Sequence, residues 1–146
     1  MIRLGSHSVK LWSSTQKSIA LSSGEAEYYA LVKGGSIGIG ISSMLSDFGV
    51  MVDSRLNIHT DSSAAKGICS RRGLGKVRHI DVHMLWIQDR VHKGDIIIKK
   101  VSGEDNISDA LTKHVDAGKL TQHLQNTEQE SLSGRHILMP NVTSHQ

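Results

Sequence analysis

Aromatic residues are scarce in this chain: Phe, Tyr and Trp make up 3% of its 146 residues. A core built mainly from rings is therefore excluded, and the core must be aliphatic. Cysteine occurs once, at Cys69. One cysteine excludes an intramolecular disulfide and a cysteine-based zinc cluster. It reads as a buried or half-buried thiol in a reducing compartment. No apolar run approaches the roughly 20 residues that span a bilayer, and no signal-like segment follows Met1. The expectation is an intracellular protein without a membrane partner, its compartment open. Proline also occurs once, at Pro140, and no internal repeat is visible. Acids are missing from the whole opening stretch, since no Asp or Glu precedes Glu25.

The length is one domain's worth and allows a real core. A net charge of +3 and a pI near 9.1 permit nucleic-acid binding without arguing for it. Composition divides the chain into a domain over 1–115 and a polar extension over 116–146, partly disordered, in which 137–139 alone is apolar enough to dock.

An alternating apolar piece over 1–4, a turn at 5–8 and strand-like runs at 9–13 and 18–21 suggest a small antiparallel ribbon. Ser22 with Glu25 three residues on fits a capping box, so a helix is expected over about 24–47. Capping accounts for Glu25; Glu27 is either a solvated helix-face acid or a ligand. Gly34, Gly35, Gly38 and Gly40 crowd the middle of that helix. They imply a bend or a close-packed face, because glycine costs a helix interior about 1 kcal/mol relative to alanine. The strand–turn–helix context of a dinucleotide loop is absent there.

Leu56 to Thr60 reads as a strand with Asp61 at its carboxyl end, where α/β sheets gather ligands. Asp61 can equally cap the helix expected over 62–70. Lys66, Arg71, Arg72, Lys76, Arg78 and His79 follow with no acid among them, interrupted by Gly73 and Gly75. A solvated positive face is the plain explanation, and contact with a phosphate backbone is the second. No aromatic interleaves this run, which argues against a base-stacking platform. A helix is expected over 80–92 with Val82, Leu85, Trp86 and Val91 on its apolar face. His79 and His83 share a helical spacing that zinc ligands can use, but no third ligand is placed. The run 96–101 is continuous enough for a buried parallel strand. A helix starts at 107–113 with Asp109 in its first turn, where an acid also suits the helix dipole. Helix is expected to extend from there through 119–124.

The stretch Leu21-Ser22-Ser23-Gly24-Glu25-Ala26-Glu27-Tyr28 resembles the "ALS-x-x-EAEY" signature of the ribonuclease H domain of copia-type retrotransposon polyproteins. Three further stretches fit the same family in the same order: Ile58-His59-Thr60-Asp61-Ser62-Ser63-Ala64-Ala65, Val77-Arg78-His79-Ile80-Asp81-Val82, and Ile107-Ser108-Asp109-Ala110-Leu111-Thr112-Lys113. Together they cover roughly 11–114.

The resemblance implies an α/β fold, a ribonuclease H-like mixed five-stranded sheet flanked by helices. It implies hydrolysis of the RNA strand of an RNA–DNA hybrid, leaving a 3′-hydroxyl and a 5′-phosphate. The family's acids run Asp, Glu, Asp, Asp. Matched by position, Glu27 is the helix glutamate, Asp61 the strand-end aspartate and Asp109 the last aspartate, with Asn106 at a polar loop position. Such acids bind magnesium, two ions about 3.5–4 Å apart, which neutralise the cluster and act on the phosphodiester. Arg71, Arg72, Lys76, Arg78 and His79 would contact the nucleic acid, and an upstream reverse transcriptase portion is an expected partner. The first aspartate has no counterpart, so the first strand is expected to be missing, the sheet edge exposed, and activity weak or lost. Two alternatives stand beside this reading: a non-catalytic nucleic-acid-binding remnant, and a remnant without molecular function. Transposases and integrases share the fold, but their acids run Asp, Asp, Glu, whereas here Glu27 comes first.

Overall fold

A computed structural model describes residues 1–16, 18–50 and 55–129. The chain forms two compact units, one of Trp12–Ser108 and one joining Met1–Leu11 to the chain from Asp109 onward. It is α/β, but the described residues do not form the expected five-stranded sheet. They form two separate sheets of two strands each.

In the unit that contains Met1–Leu11, β1 (Ile2–Leu4) and β2 (His7–Lys10) pair antiparallel. Leu4 faces His7 across Gly5 and Ser6, and Gly5 takes φ +62°. The ribbon thus closes earlier than expected, and 11–16 and 18–22 form no strand. The reason is local: a glycine at the first position of a two-residue turn matches the twist of the strands it joins. Neither 11–13 nor 18–21 has such a turn to bring it a partner.

The same unit holds α4 (Ala117–Asn126), capped by Asp116, whose Oδ1 accepts from the Lys119 N–H at 2.9 Å. Arg3 Nη2 donates to the Ser6 and Asn126 carbonyls, both at 2.9 Å, and so ties the hairpin to the end of α4. The expected extension of the 107–113 helix through 119–124 is instead a separate helix that opens at its own cap. The expected apolar contact of 137–139 lies outside the described residues.

The other unit holds α1 (Ser23–Asp47), β3 (Leu56–Thr60), α2 (Ser63–Ser70), α3 (Trp86–Lys93) and β4 (Ile96–Lys100). Ser22 caps α1, its Oγ accepting from the Glu25 N–H at 3.2 Å. The glutamate reaches back as expected, but one residue further, to the Leu21 N–H at 2.8 Å. The glycine-rich middle is a packing face. A Cβ added at Gly35 would lie 3.3 Å from the Trp86 ring, and one at Gly38 would lie 2.7 Å from Leu56. Bare backbone there lets the helix settle onto β3 and α3. Gly34 and Gly40 face open space.

The two strands of this unit pair in parallel, Leu56 opposite Ile96 and Thr60 opposite Lys100. The core is Tyr28, Leu31, Val32, Ala65, Ile68, Cys69, Ile80, Ile87, Ile96 and Ile98, aliphatic apart from one tyrosine. Cys69 is fully buried, and burial pushes its thiol up to about 12, which makes it a packing group.

The continuous helix expected over 80–92 is not formed. A 3-10 turn, Val82–Leu85, precedes α3. Ile80 is buried ahead of that turn, and Val82, expected on the apolar face, is exposed. The core contact that sequence spacing assigned to Val82 is made by Ile80 and Ile87. A 3-10 turn, Ile107–Leu111, likewise replaces the start of the helix expected at 107–113. Among the described residues no helix is long and apolar enough to cross a membrane.

Candidate functional site

Asp61 stands at the carboxyl end of β3, half-buried. It does not cap α2. That task falls to Ser62, whose Oγ accepts from the Ala65 N–H at 3.2 Å, leaving the Asp61 carboxylate available for other work. The loop after β4 passes beside it: a Cβ on Gly103 would lie 3.8 Å from Asp61 Oδ2. Lys100, paired with Thr60 across the sheet, donates from Nζ to the Asp61 backbone carbonyl at 3.2 Å and to Ser63 Oγ. An ammonium group therefore stands at the same strand end.

Glu27 lies one turn into α1 and is exposed. The first turns of α1 and α2 touch, since a Cβ on Gly24 would meet the Ala64 Cβ at 2.8 Å. Glu27 is three residues beyond Gly24, on the same side of its helix. Asp61 is three residues before Ala64. The contact thus joins the helix that bears Glu27 to the segment that follows Asp61. Asp109 belongs to the other unit, half-buried, with Oδ2 2.8 Å from Lys113 Nζ one turn on. Asn106 Oδ1 accepts from the Ser108 N–H at 3.3 Å. Among the described residues, neither unit gathers three His, Cys, Asp or Glu side chains that could hold a metal ion.

The basic segment is a shaped turn. Arg71 folds inward, its Nη2 donating to the Leu74 carbonyl at 2.6 Å across the face of Gly75. Its Nε is buried and lacks a partner among the described residues. Arg72, Lys76, Arg78 and His79 are exposed. Gln88, 4% exposed, holds the turn from beneath. Its Oε1 accepts from the Gly73 N–H at 2.8 Å, and its Nε2 donates to the Ile68 carbonyl at 2.8 Å and the Gly73 carbonyl at 3.1 Å. Gly73 takes φ +75°, a conformation side chains resist, so a glycine is needed where the amide grips. Sequence reasoning passed over Gln88. The available signal was its place between Met84 and Val91, at helical spacing on an otherwise apolar face.

His79 is bound rather than free. Its Nε2 lies 2.7 Å from Oε1 of Glu25, a side chain buried to 3% exposure. The pairing joins residues far apart in sequence, and it removes His79 from the zinc spacing with His83, which no helix supports here. The hydrogen bond from His79 holds the Glu25 carboxyl below its usual range, with help from the Leu21 N–H and against the opposing effect of burial. A depressed carboxylate stabilises the fold above its unfolded value of 4.5 and loses that contribution as pH falls through the lower folded value. We expect the urea midpoint of the chain to drop as pH is lowered below about 4.5, with a shallower drop for Glu25→Gln. Equal slopes for the two proteins would show that Glu25 carries none of the acid sensitivity.

No family model matches the chain, and no solved structure matches it. It is similar to the retrovirus-related Pol polyprotein from transposon RE1 of Arabidopsis thaliana, 29% identical over 114 residues, 77% of this chain and 8% of that polyprotein. The Pol polyprotein from transposon RE2 of the same plant is 29% identical over the same extent. The one from transposon TNT 1-94 of Nicotiana tabacum is 32% identical over 109 residues, 73% of this chain and 8% of that polyprotein. The chain thus spans 8% of the length of each curated relative described, and about three-quarters of it is similar to part of a retrovirus-related Pol polyprotein of a transposon.

Proposed function

We propose that the chain is a ribonuclease H-like piece of a copia-type retrotransposon Pol polyprotein that engages RNA–DNA hybrid. Glu27 and Asp61 are its acids at the scissile phosphate; Asp109, the third acid that the resemblance implies, belongs to the other unit. Arg72, Lys76 and Arg78 hold the phosphate backbone. The observation that supports this reading is the α1–α2 contact, which joins the helix that bears Glu27 to the segment that follows Asp61 at the carboxyl end of a parallel strand. The similarity to transposon Pol polyproteins supports it.

Glu27 and Asp61 offer hard oxygen donors, which suit one magnesium ion that keeps most of its waters. A bound ion would polarise a water and neutralise charge at phosphorus. A second ion needs a further carboxylate, and among the described residues no group of three metal-ligating side chains supplies one. The chain's own residues bind and orient the substrate. The arginines and lysines neutralise phosphates, while Lys100 stands beside Asp61 as a fixed positive charge.

A second reading, hybrid binding without cleavage, is favoured by the absence of a three-carboxylate group within either unit among the described residues. One experiment separates the two. End-labelled RNA–DNA hybrid is incubated with the chain and magnesium, and binding is followed in parallel by fluorescence anisotropy. On the first reading Asp61→Asn lowers cleavage by about 100-fold or more while binding stays within about twofold. Binding without cleavage establishes the second reading. Absence of salt-sensitive binding removes both.

A further inference from the structure

We propose that Glu25 and His79 form a clasp whose work is to hold the basic segment in the shape that meets a phosphate backbone, and that His79 acts through Lys76 and Arg78 rather than by touching nucleic acid. The inference rests on the hybrid-binding reading and assigns His79 a different role within it, that of a positioning residue.

Three observations carry it. The glutamate is buried at the first turn of α1, fixed on one side by the Leu21 N–H at 2.8 Å and on the other by His79 at 2.7 Å. A buried carboxylate with two well-aimed donors is a rigid anchor, because leaving either oxygen unpaired would cost its desolvation. Second, the segment is already fixed at its far end by the Gln88 amide around Gly73. His79 supplies the second fixed point, so the exposed cations Lys76 and Arg78 sit on a span held at both ends. Third, Tyr28, one turn beyond Glu25, donates its hydroxyl to the Met84 carbonyl at 2.8 Å. The same end of α1 therefore grips the chain on both sides of Ile80, which is itself buried. The charged and titratable groups around the clasp are Asp81 and Tyr29, with Arg78 adjacent in sequence.

A direct contact and a clasp differ in what Glu25 does. If His79 touched phosphate itself, removing a neighbouring carboxylate would leave binding unchanged or strengthen it. If the imidazole is an anchor, Glu25→Gln and His79→Ala weaken binding together.

The test uses the full chain and a labelled RNA–DNA hybrid at two salt concentrations. We expect Glu25→Gln and His79→Ala each to weaken binding about tenfold. Their double variant should be no weaker than either, and His79→Gln, which retains an N–H donor, should recover most of the loss. In a Lys76→Ala/Arg78→Ala background, His79→Ala should cost nothing further. A merely structural role would weaken binding in every background. Wild-type affinity in Glu25→Gln overturns the clasp. Amide hydrogen exchange reads the same device without nucleic acid: Glu25→Gln should speed exchange across 74–80 while α3 stays protected. Unchanged exchange there overturns the clasp whether or not hybrid binds. Faster exchange in a chain that binds no hybrid leaves the anchor and overturns its assigned work, along with the hybrid-binding reading.

Discussion

Tyr28→Ala is expected to cost about 3–5 kcal/mol, enough to remove most of the stability of a small domain. Tyr28 is fully buried in a core that otherwise has only aliphatic side chains and one thiol. Its ring is the aromatic one among the fully buried core side chains described, while Tyr29, at a centroid distance of 6.2 Å, and Trp86 are only partly buried against that core. The deletion therefore leaves a cavity as well as losing apolar contact. Tyr28→Phe keeps the ring and loses only the 2.8 Å bond to the Met84 carbonyl, at about 1 kcal/mol. Urea unfolding of the three proteins checks both numbers. Similar small losses for Phe and Ala would mean that the ring is not the centre of the core.

The second large effect is expected at Gln88. Gln88→Met keeps length and volume but removes an amide that makes three hydrogen bonds to the Ile68 and Gly73 backbone. The buried Ile68 carbonyl and the Gly73 groups are then left unpaired, at about 1–3 kcal/mol for each group that water cannot reach. We expect a loss of about 2–4 kcal/mol in unfolding free energy. A drop in hybrid affinity should accompany it under conditions where the variant stays folded. A loss under about 0.5 kcal/mol would show that the turn keeps its shape without the amide.

Much of the local structure was legible. Ser22 and Glu25 marked the start of α1, the β-branched runs marked β3 and β4, and Ser62–Ser63 opened α2. These signals act over a few residues, as capping and side-chain alternation do. The early ribbon was misplaced because strand propensity does not name a partner, whereas Gly5 does. The helix over 80–92 was overextended because apolar spacing cannot distinguish a 3-10 turn that follows a buried Ile80 from another α-helical turn. Asp61 was visible as a strand-end acid, but its freedom from capping depended on Ser62 taking that role. The approach of the Glu27 and Asp61 elements rests on two small residues, Gly24 and Ala64, that look like filler in sequence. Glu25 seemed explained by its helix, yet its strongest partner is His79, 54 positions on, and such pairings become visible only in the folded chain.

The unit built from Met1–Leu11 and the chain after Asp109 has a consequence for the order of folding. Its bond from Arg3 to Asn126 spans 123 positions. Closing so long a loop from a disordered chain carries an entropy cost on the order of 4 kcal/mol. Structure formed within Trp12–Ser108 shortens that loop before it must close. The hairpin precedes its helix by more than 100 positions, and until that helix forms it is a two-stranded ribbon that is marginal by itself. The hairpin is thus among the last parts of its unit to become secure.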